Sequence, residues 1–343
     1  MMKTALGFST RSKPWAKAWE GLFASRLGVY ICLILVAALL ACAYQVRTRT
    51  IFSCPADGYN TDRYIAYCHG ANYGDYEHGA FQFDLEPSVR NFVMNADVLF
   101  LGNSRLQVAF STAATEDWFS AASARYYLMG FSYFENVIFA EELLRKIRPR
   151  ASVYVINIDD FFERSESIPV KAILHDPETR SRYEMKRFWQ RIHEPVCKTF
   201  TVLCGHKFVV FRSQETGAYY TEGAAAQKMT AISYDRVVNE DVVNSNAFNA
   251  TDLLSHYAHG KCVIFTIVPF VGTKIGNAKA IAERLGVSLM TPVLPDGLQT
   301  YDGLHLDQPS AARWSQAFFR EVGSRIRSCL EERGAADLQK SSL

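Results

Sequence analysis

The sequence has almost no net charge. In 343 residues, 37 Lys and Arg stand against 35 Asp and Glu, a formal balance of +2. A nucleic-acid partner needs a basic excess gathered on one face, so none is expected. Internal repeats and low-complexity tracts are absent, and only 331–343 reads as a polar tail. No Cys-x-x-Cys pair occurs among the eight cysteines, which argues against a zinc site. His256 and His259 have a spacing that a metal could bridge, but no carboxylate or cysteine completes a ligand set, so neither metal nor cofactor is expected.

One further absence is local. From Leu27 to Val46 there is no charged residue, and a run of about 20 residues matches a bilayer core of roughly 30 Å. Lys3, Arg11, Lys13, Lys17 and Arg26 precede it with only Glu20 in opposition. The basic flank places 1–26 in the cytoplasm and sends the rest outward, as a single-pass protein of the inner membrane. Leu39–Cys42 also resembles a lipoprotein cleavage box with Cys42 as the lipidated residue. The length of the run favours an uncleaved anchor over 27–46.

Cysteine usage agrees with export. Cys54, Cys68, Cys197, Cys204, Cys262 and Cys329 lie beyond the apolar run, and an even number suits an oxidising compartment such as the periplasm. Locality favours Cys54–Cys68 and Cys197–Cys204, leaving Cys262 with Cys329.

After a stalk and surface wrap over 47–95, apolar runs alternate with helical patterns. Strands are expected at 97–102, 125–130, 152–158, 262–268 and 287–290, and helices at 134–147, 277–286 and about 309–330. The segment after Gly102 is helix-compatible through Trp118. The alternation predicts an α/β fold with a parallel sheet covered on both faces, spanning 96–330. Residues 161–255 break the pattern and are expected as a mainly helical insertion, either a substrate platform or a surface elaboration.

In parallel sheets, ligands bind beyond the carboxyl ends of the strands. Ser104 follows the first strand, Gly130 closes the second and Asn157 closes the third. Asp302 and His305 stand three apart just before the last helix, whose start is marked by Asp307, Gln308 and Pro309. A serine hydroxyl is a weak nucleophile and needs an imidazole to take its proton. The imidazole needs a carboxylate at its other nitrogen. Ser104 could instead simply cap the following helix. Arg105 could bind an anionic substrate group or pair with a neighbouring acid.

"FLGNSR", Gly130 in "YLMGFS", Asn157 in "VINIDD" and "DGLH" together resemble, in order, the four sequence blocks of the SGNH/GDSL hydrolase superfamily. The resemblance implies a flavodoxin-like three-layer sandwich and a serine hydrolase or acyltransferase. Ser104 would be the nucleophile, His305 the base and Asp302 its orienting partner. The N–H groups of Ser104 and Gly130 and the Asn157 amide would form the oxyanion hole. Asn103 and Arg105 would lie beside the substrate. Asn103 stands where Asp is usual, and Asp159 or Asp160 could take the place of Asn157. The expected substrate is an acylated, O-acetylated cell-surface or secreted polysaccharide, with membrane proteins of polysaccharide synthesis or acetylation as partners. The alternative is a catalytically silent binding or scaffold component of a polysaccharide modification or export complex.

Overall fold

The computed structural model describes residues 26–48, 52–71, 73–201, 204–222 and 229–341, with side chains undescribed at 26–27, 43–48 and 333–341. The expected cytoplasmic segment lies outside the described residues except for Arg26. The chain divides into two compact units, Met1–Ile51 and Phe52–Leu343.

The described residues of the first unit form a helix, α1 (Arg26–Thr48). Its described side chains include exposed Val29, Ile31, Leu33, Ile34, Leu35, Val36, Leu39 and Leu40. Among the described residues no helix is long and apolar enough to cross a membrane. The side chains of α1 are described only over 28–42, short of the expected span.

The second unit opens with β1 (Arg63–Cys68), α2 (Glu77–Gln82) and α3 (Pro87–Met94). There follow β2 (Val98–Asn103), α4 (Ser104–Phe110), α5 (Ala113–Ala122), β3 (Tyr126–Phe131), α6 (Val137–Ile147) and β4 (Val153–Asn157). Next come α7 (Ile168–His175), α8 (Thr179–Thr199), β5 (Val209–Ser213), β6 (Tyr219–Glu222), β7 (Thr230–Ala231) and β8 (Tyr234–Asp235). The chain then runs through α9 (Glu240–Tyr257), β9 (Cys262–Thr266), β10 (Thr273–Lys274), α10 (Ile275–Leu285), β11 (Gln299–Thr300) and α11 (Gln308–Ser341).

β3, β2, β4 and β9 form a parallel sheet in that order. The alternation of strand side chains between two faces divides the core. Leu99 and Leu101, Tyr127 and Met129, and Tyr154 and Ile156 face one layer with Leu143 and Leu144 of α6 and Leu253 of α9. Val98 and Phe100, Leu128, and Val153 and Val155 face the other with Phe110 of α4 and Trp314 and Phe318 of α11. The Phe110 ring meets Trp314 edge-on at 5.1 Å and Phe318 at 5.0 Å. Each such ring, fully buried, is worth about 1.5–3 kcal/mol.

Several expectations need correction. The expected strand at 287–290 is reduced to a single bridge between Leu289 and Phe265. The helical stretch after Gly102 is two helices, because Thr112 leaves the helix and caps α5 by accepting the Thr115 N–H. Residues 52–95 are no surface wrap: β1 pairs antiparallel with β5 and β5 with β6 in a second sheet, and Tyr64, Tyr76 and Phe81 join the core. The segment 161–255 is helical only in its first part and in α9, which packs with Ala250 and Leu253 on the core as the crossover into β9. Between them the β5–β6 turn covers the edge of the parallel sheet, with Leu128 N–H donating to the Thr216 carbonyl at 2.9 Å. The backbone of the expected tail stays helical to Ser341.

All three expected disulfides are present: Cys54–Cys68, Cys197–Cys204 and Cys262–Cys329. The last joins the start of β9 to α11 and encloses the segment carrying Asp302 and His305.

The second sheet is pinned to the first by a buried ion pair. Arg212 of β5 donates to Glu77 of α2 at 2.9 Å and to the Leu128 carbonyl of β3 at 2.7 Å. Its guanidinium lies 4.6 Å from the rings of both Phe81 and Phe131. Glu77 also accepts from Ser132 N–H and hydroxyl and from the Tyr219 hydroxyl. Burial alone pushes the Glu77 carboxyl up, but Arg212, His78 and these hydrogen bonds outweigh it and hold it below its ordinary value. A carboxyl lowered in the folded state stabilises fully above its unfolded value of about 4.3, and that contribution is lost as pH falls through the folded value. Glu77→Gln leaves Arg212 buried without a countercharge, at a cost of about 3–5 kcal/mol at pH 7. Urea unfolding at pH 7 and at pH 4 checks this: the variant is less stable at pH 7, and the gap narrows at the lower pH.

Candidate active site

β2 runs out at Asn103 between β3 and β4, at the point where the strand order reverses. Asn103 caps α4 by accepting the Arg105 N–H at 3.0 Å, so Ser104 becomes the first helical residue. The capping role weighed as the alternative for Ser104 is thus filled by Asn103, and the Ser104 hydroxyl is free for other bonds.

Ser104 Oγ lies 2.8 Å from His305 Nε2 across a sequence separation of 201. His305 Nδ1 lies 2.7 Å from Asp302 Oδ2. Asp302 Oδ1 accepts the N–H groups of Leu304 at 2.9 Å and His305 at 2.8 Å, closing a tight turn. Gly303 supplies the left-handed residue of that turn, with φ of 89°. Burial raises the Asp302 carboxyl, but the bond from His305, its charge and the two N–H groups hold it below its ordinary value. A carboxylate that stays ionised keeps the imidazole proton on Nδ1 and leaves Nε2 to accept from the serine. The three expected residues therefore meet, with His305 18% and Asp302 34% exposed.

The loop is braced at both ends. Tyr301 stacks on His305 with ring centroids 5.6 Å apart and planes 17° from parallel. Asp307 caps α11 by accepting the Ser310 N–H at 2.8 Å. β11 pairs with β7, so the 230–231 segment holds the entry to the turn.

The remaining expected site residues are placed differently. The Gly130 N–H is taken by Gln107 Oε1 at 3.0 Å, so it is not a free oxyanion donor. A Cβ at Gly130 would meet the Asn103 carbonyl at 2.6 Å, so glycine is required there by close packing. Asn157 is buried; its Oδ1 accepts the Val268 N–H at 2.9 Å, while its Nδ2 is without a partner. Arg105 is 3% exposed and donates to Asp159 at 2.6 Å and Asp160 at 3.1 Å. Burial works against its charge, and the two carboxylates more than offset that. Asn103 Nδ2 lies 3.1 Å from both oxygens of Asp159. Asn103 and Arg105 thus serve the scaffold beneath Ser104 instead of reaching outward to a ligand. Asp160 continues the chain of charges to Lys274 at 3.0 Å.

Gln107 and Tyr301 were not assigned roles by the sequence, and Asp159 was assigned a different one. Gln107 sits three positions after Ser104, on the face of α4 that meets the sheet, the only signal it offered. The adjacent acids 159–160 were noticed, but as substitutes for Asn157.

Among the described residues, His193, Cys197 and Cys204 bring ligand atoms within 4.8 Å of one another. The two sulfurs are bonded together, and both His193 nitrogens are engaged, by Tyr59 and by the Cys54 carbonyl. That cluster does not hold a metal. No protein-family model, curated protein or solved structure matches the chain.

The Asn103–Asp159 contact explains why an amide stands next to the serine. Asn103→Asp would face one carboxylate with another at 3.1 Å. The single variant is expected to lose stability, and the Asn103→Asp/Asp159→Asn double variant to recover part of it. Urea unfolding of the full cycle should give a coupling of about 1–3 kcal/mol; additive effects would show the contact to be inconsequential.

Proposed function

We propose that the protein is an extracytoplasmic serine esterase or O-acyltransferase of the SGNH type, acting on acylated, chiefly O-acetylated, polysaccharide. The observation that carries this is the continuous Ser104–His305–Asp302 chain at 2.8 and 2.7 Å. It lies at the strand-order reversal of a parallel sheet whose order matches a flavodoxin-like arrangement. The uncharged run over 27–46 and the three disulfides support a domain held by an amino-terminal anchor outside the cytoplasm.

In this mechanism Ser104 Oγ attacks the ester carbonyl as His305 Nε2 takes its proton. The tetrahedral intermediate collapses, the sugar oxygen leaves with the proton from His305, and the acyl group stays on Ser104. Water or a second sugar hydroxyl then attacks the acyl-enzyme, with His305 again as the base. The oxyanion would be met by the Ser104 N–H at the head of α4 and by Asn157 Nδ2, which has no other partner.

One observation favours a catalytically silent scaffold: Gln107 occupies the Gly130 N–H, which removes a donor. A fluorophosphonate probe separates the two. Wild-type protein should be labelled on Ser104, Ser104→Ala not at all, and Asp302→Asn about 10³–10⁴-fold more slowly. Folded wild-type protein that resists the probe would establish the silent scaffold.

A further inference from the structure

Next to the residues that flank His305 lies a cavity of about 560 Å³ whose walls include Tyr301, Leu306, Tyr219, Tyr220 and Arg63. Tyr301 is the ring stacked on His305, and Leu306 follows His305 directly. This cavity shares Tyr220 and Glu116 with a second of about 580 Å³, reached over the ridge that those residues form. The ridge is ordered: Tyr220 donates to Glu116 at 2.8 Å, and the Arg63 guanidinium lies 3.2 Å from the Tyr220 ring centre. Two adjoining chambers that begin at Tyr301 and Leu306, the residues flanking the imidazole, suit a chain of units better than a small ester.

The charges lining the chambers narrow the class. Among the described residues, the charged side chains lining the first are Glu116, Glu222 and Asp307 with Arg63. In the second, Asp62, Glu116 and Glu215 stand against Arg125, which is already paired with Asp97 at 3.0 Å. Carboxylates accept from hydroxyl and ammonium groups but repel carboxylates. Tyrosine rings add flat apolar area with a polar tip, suited to the faces of sugar rings.

We propose that the two chambers bind a polysaccharide of neutral or amino sugars, with the units beyond the acylated one crossing the Tyr220–Glu116 ridge. This rests on the esterase reading above and adds to it the charge class and the polymeric nature of the substrate. The same charges disfavour uronic-acid polymers.

The test uses Ser104→Ala protein, which cannot turn over substrate, titrated calorimetrically with partially N-acetylated chito-oligosaccharides of one, three and six units and with hexagalacturonate. Affinity is expected to rise at least tenfold from one unit to six, with no binding of hexagalacturonate. Adding Tyr220→Ala should cut hexamer affinity about tenfold. Adding Glu116→Gln, a near-isosteric change, should lower the preference for amine-bearing over fully N-acetylated hexamer. No length dependence, hexagalacturonate bound as tightly as the chito-hexamer, no binding of any oligosaccharide, or indifference to both substitutions would each overturn the proposal. Fluorophosphonate labelling of wild-type protein in parallel keeps the two questions apart. Labelled protein without length dependence removes the groove alone; unlabelled protein whose Ser104→Ala form still binds by length removes the esterase and keeps the groove.

Discussion

The carboxyl ends of β2 and β4 are joined through Asn103, which donates to Asp159 and accepts from the Arg105 N–H. Everything at the site is referenced to that junction. It sets where α4 begins, and so where Ser104 projects. It seats Arg105 between two carboxylates, giving a buried cation the partners it needs. It also requires that the neighbouring strand approach closely, which only glycine at 130 permits. A carboxylate at position 103 would set this junction against itself.

The imidazole reaches that junction from the far end of the domain, and the chain spends several devices on fixing it. The Cys262–Cys329 bond encloses the Asp302–His305 turn between β9 and α11. Short pairings of β11 with β7 and of Thr300 with Leu306 shape the turn itself. The Val271 N–H bonds the Gly303 carbonyl at 3.1 Å, tying the turn to the loop after β9. On the opposite side, Glu77 and Arg212 lock the second sheet to the loop following β3. The serine is thus placed by the parallel sheet, and the histidine by structure added around it.

What the sequence made legible follows from range. The strands of the parallel sheet are continuous apolar runs because both faces are covered, and such runs stand out unaided. The disulfides followed from spacing. Ser104, Asp302 and His305 were visible because their chemistry demands one another. The second sheet was not, since β1 finds its partner β5 about 145 positions later and neither carries a strong period of its own. α9 was absorbed into the insertion because Asn246 and Asn249 lie on its buried side. Gly130 was misassigned for a similar reason: nothing local announces that Gln107 turns back to occupy its N–H.

The central claim is that the three residues are assembled before any substrate arrives, with the imidazole proton on Nδ1 facing Asp302. Proton–nitrogen NMR of the isotope-labelled protein at neutral pH tests this directly. A strongly deshielded Nδ1-bound proton, assigned to His305 by its absence in His305→Ala and shifted upfield in Asp302→Asn, is the predicted result. A His305 imidazole carrying its proton on Nε2, or one exchanging freely with solvent in both proteins, would contradict the account.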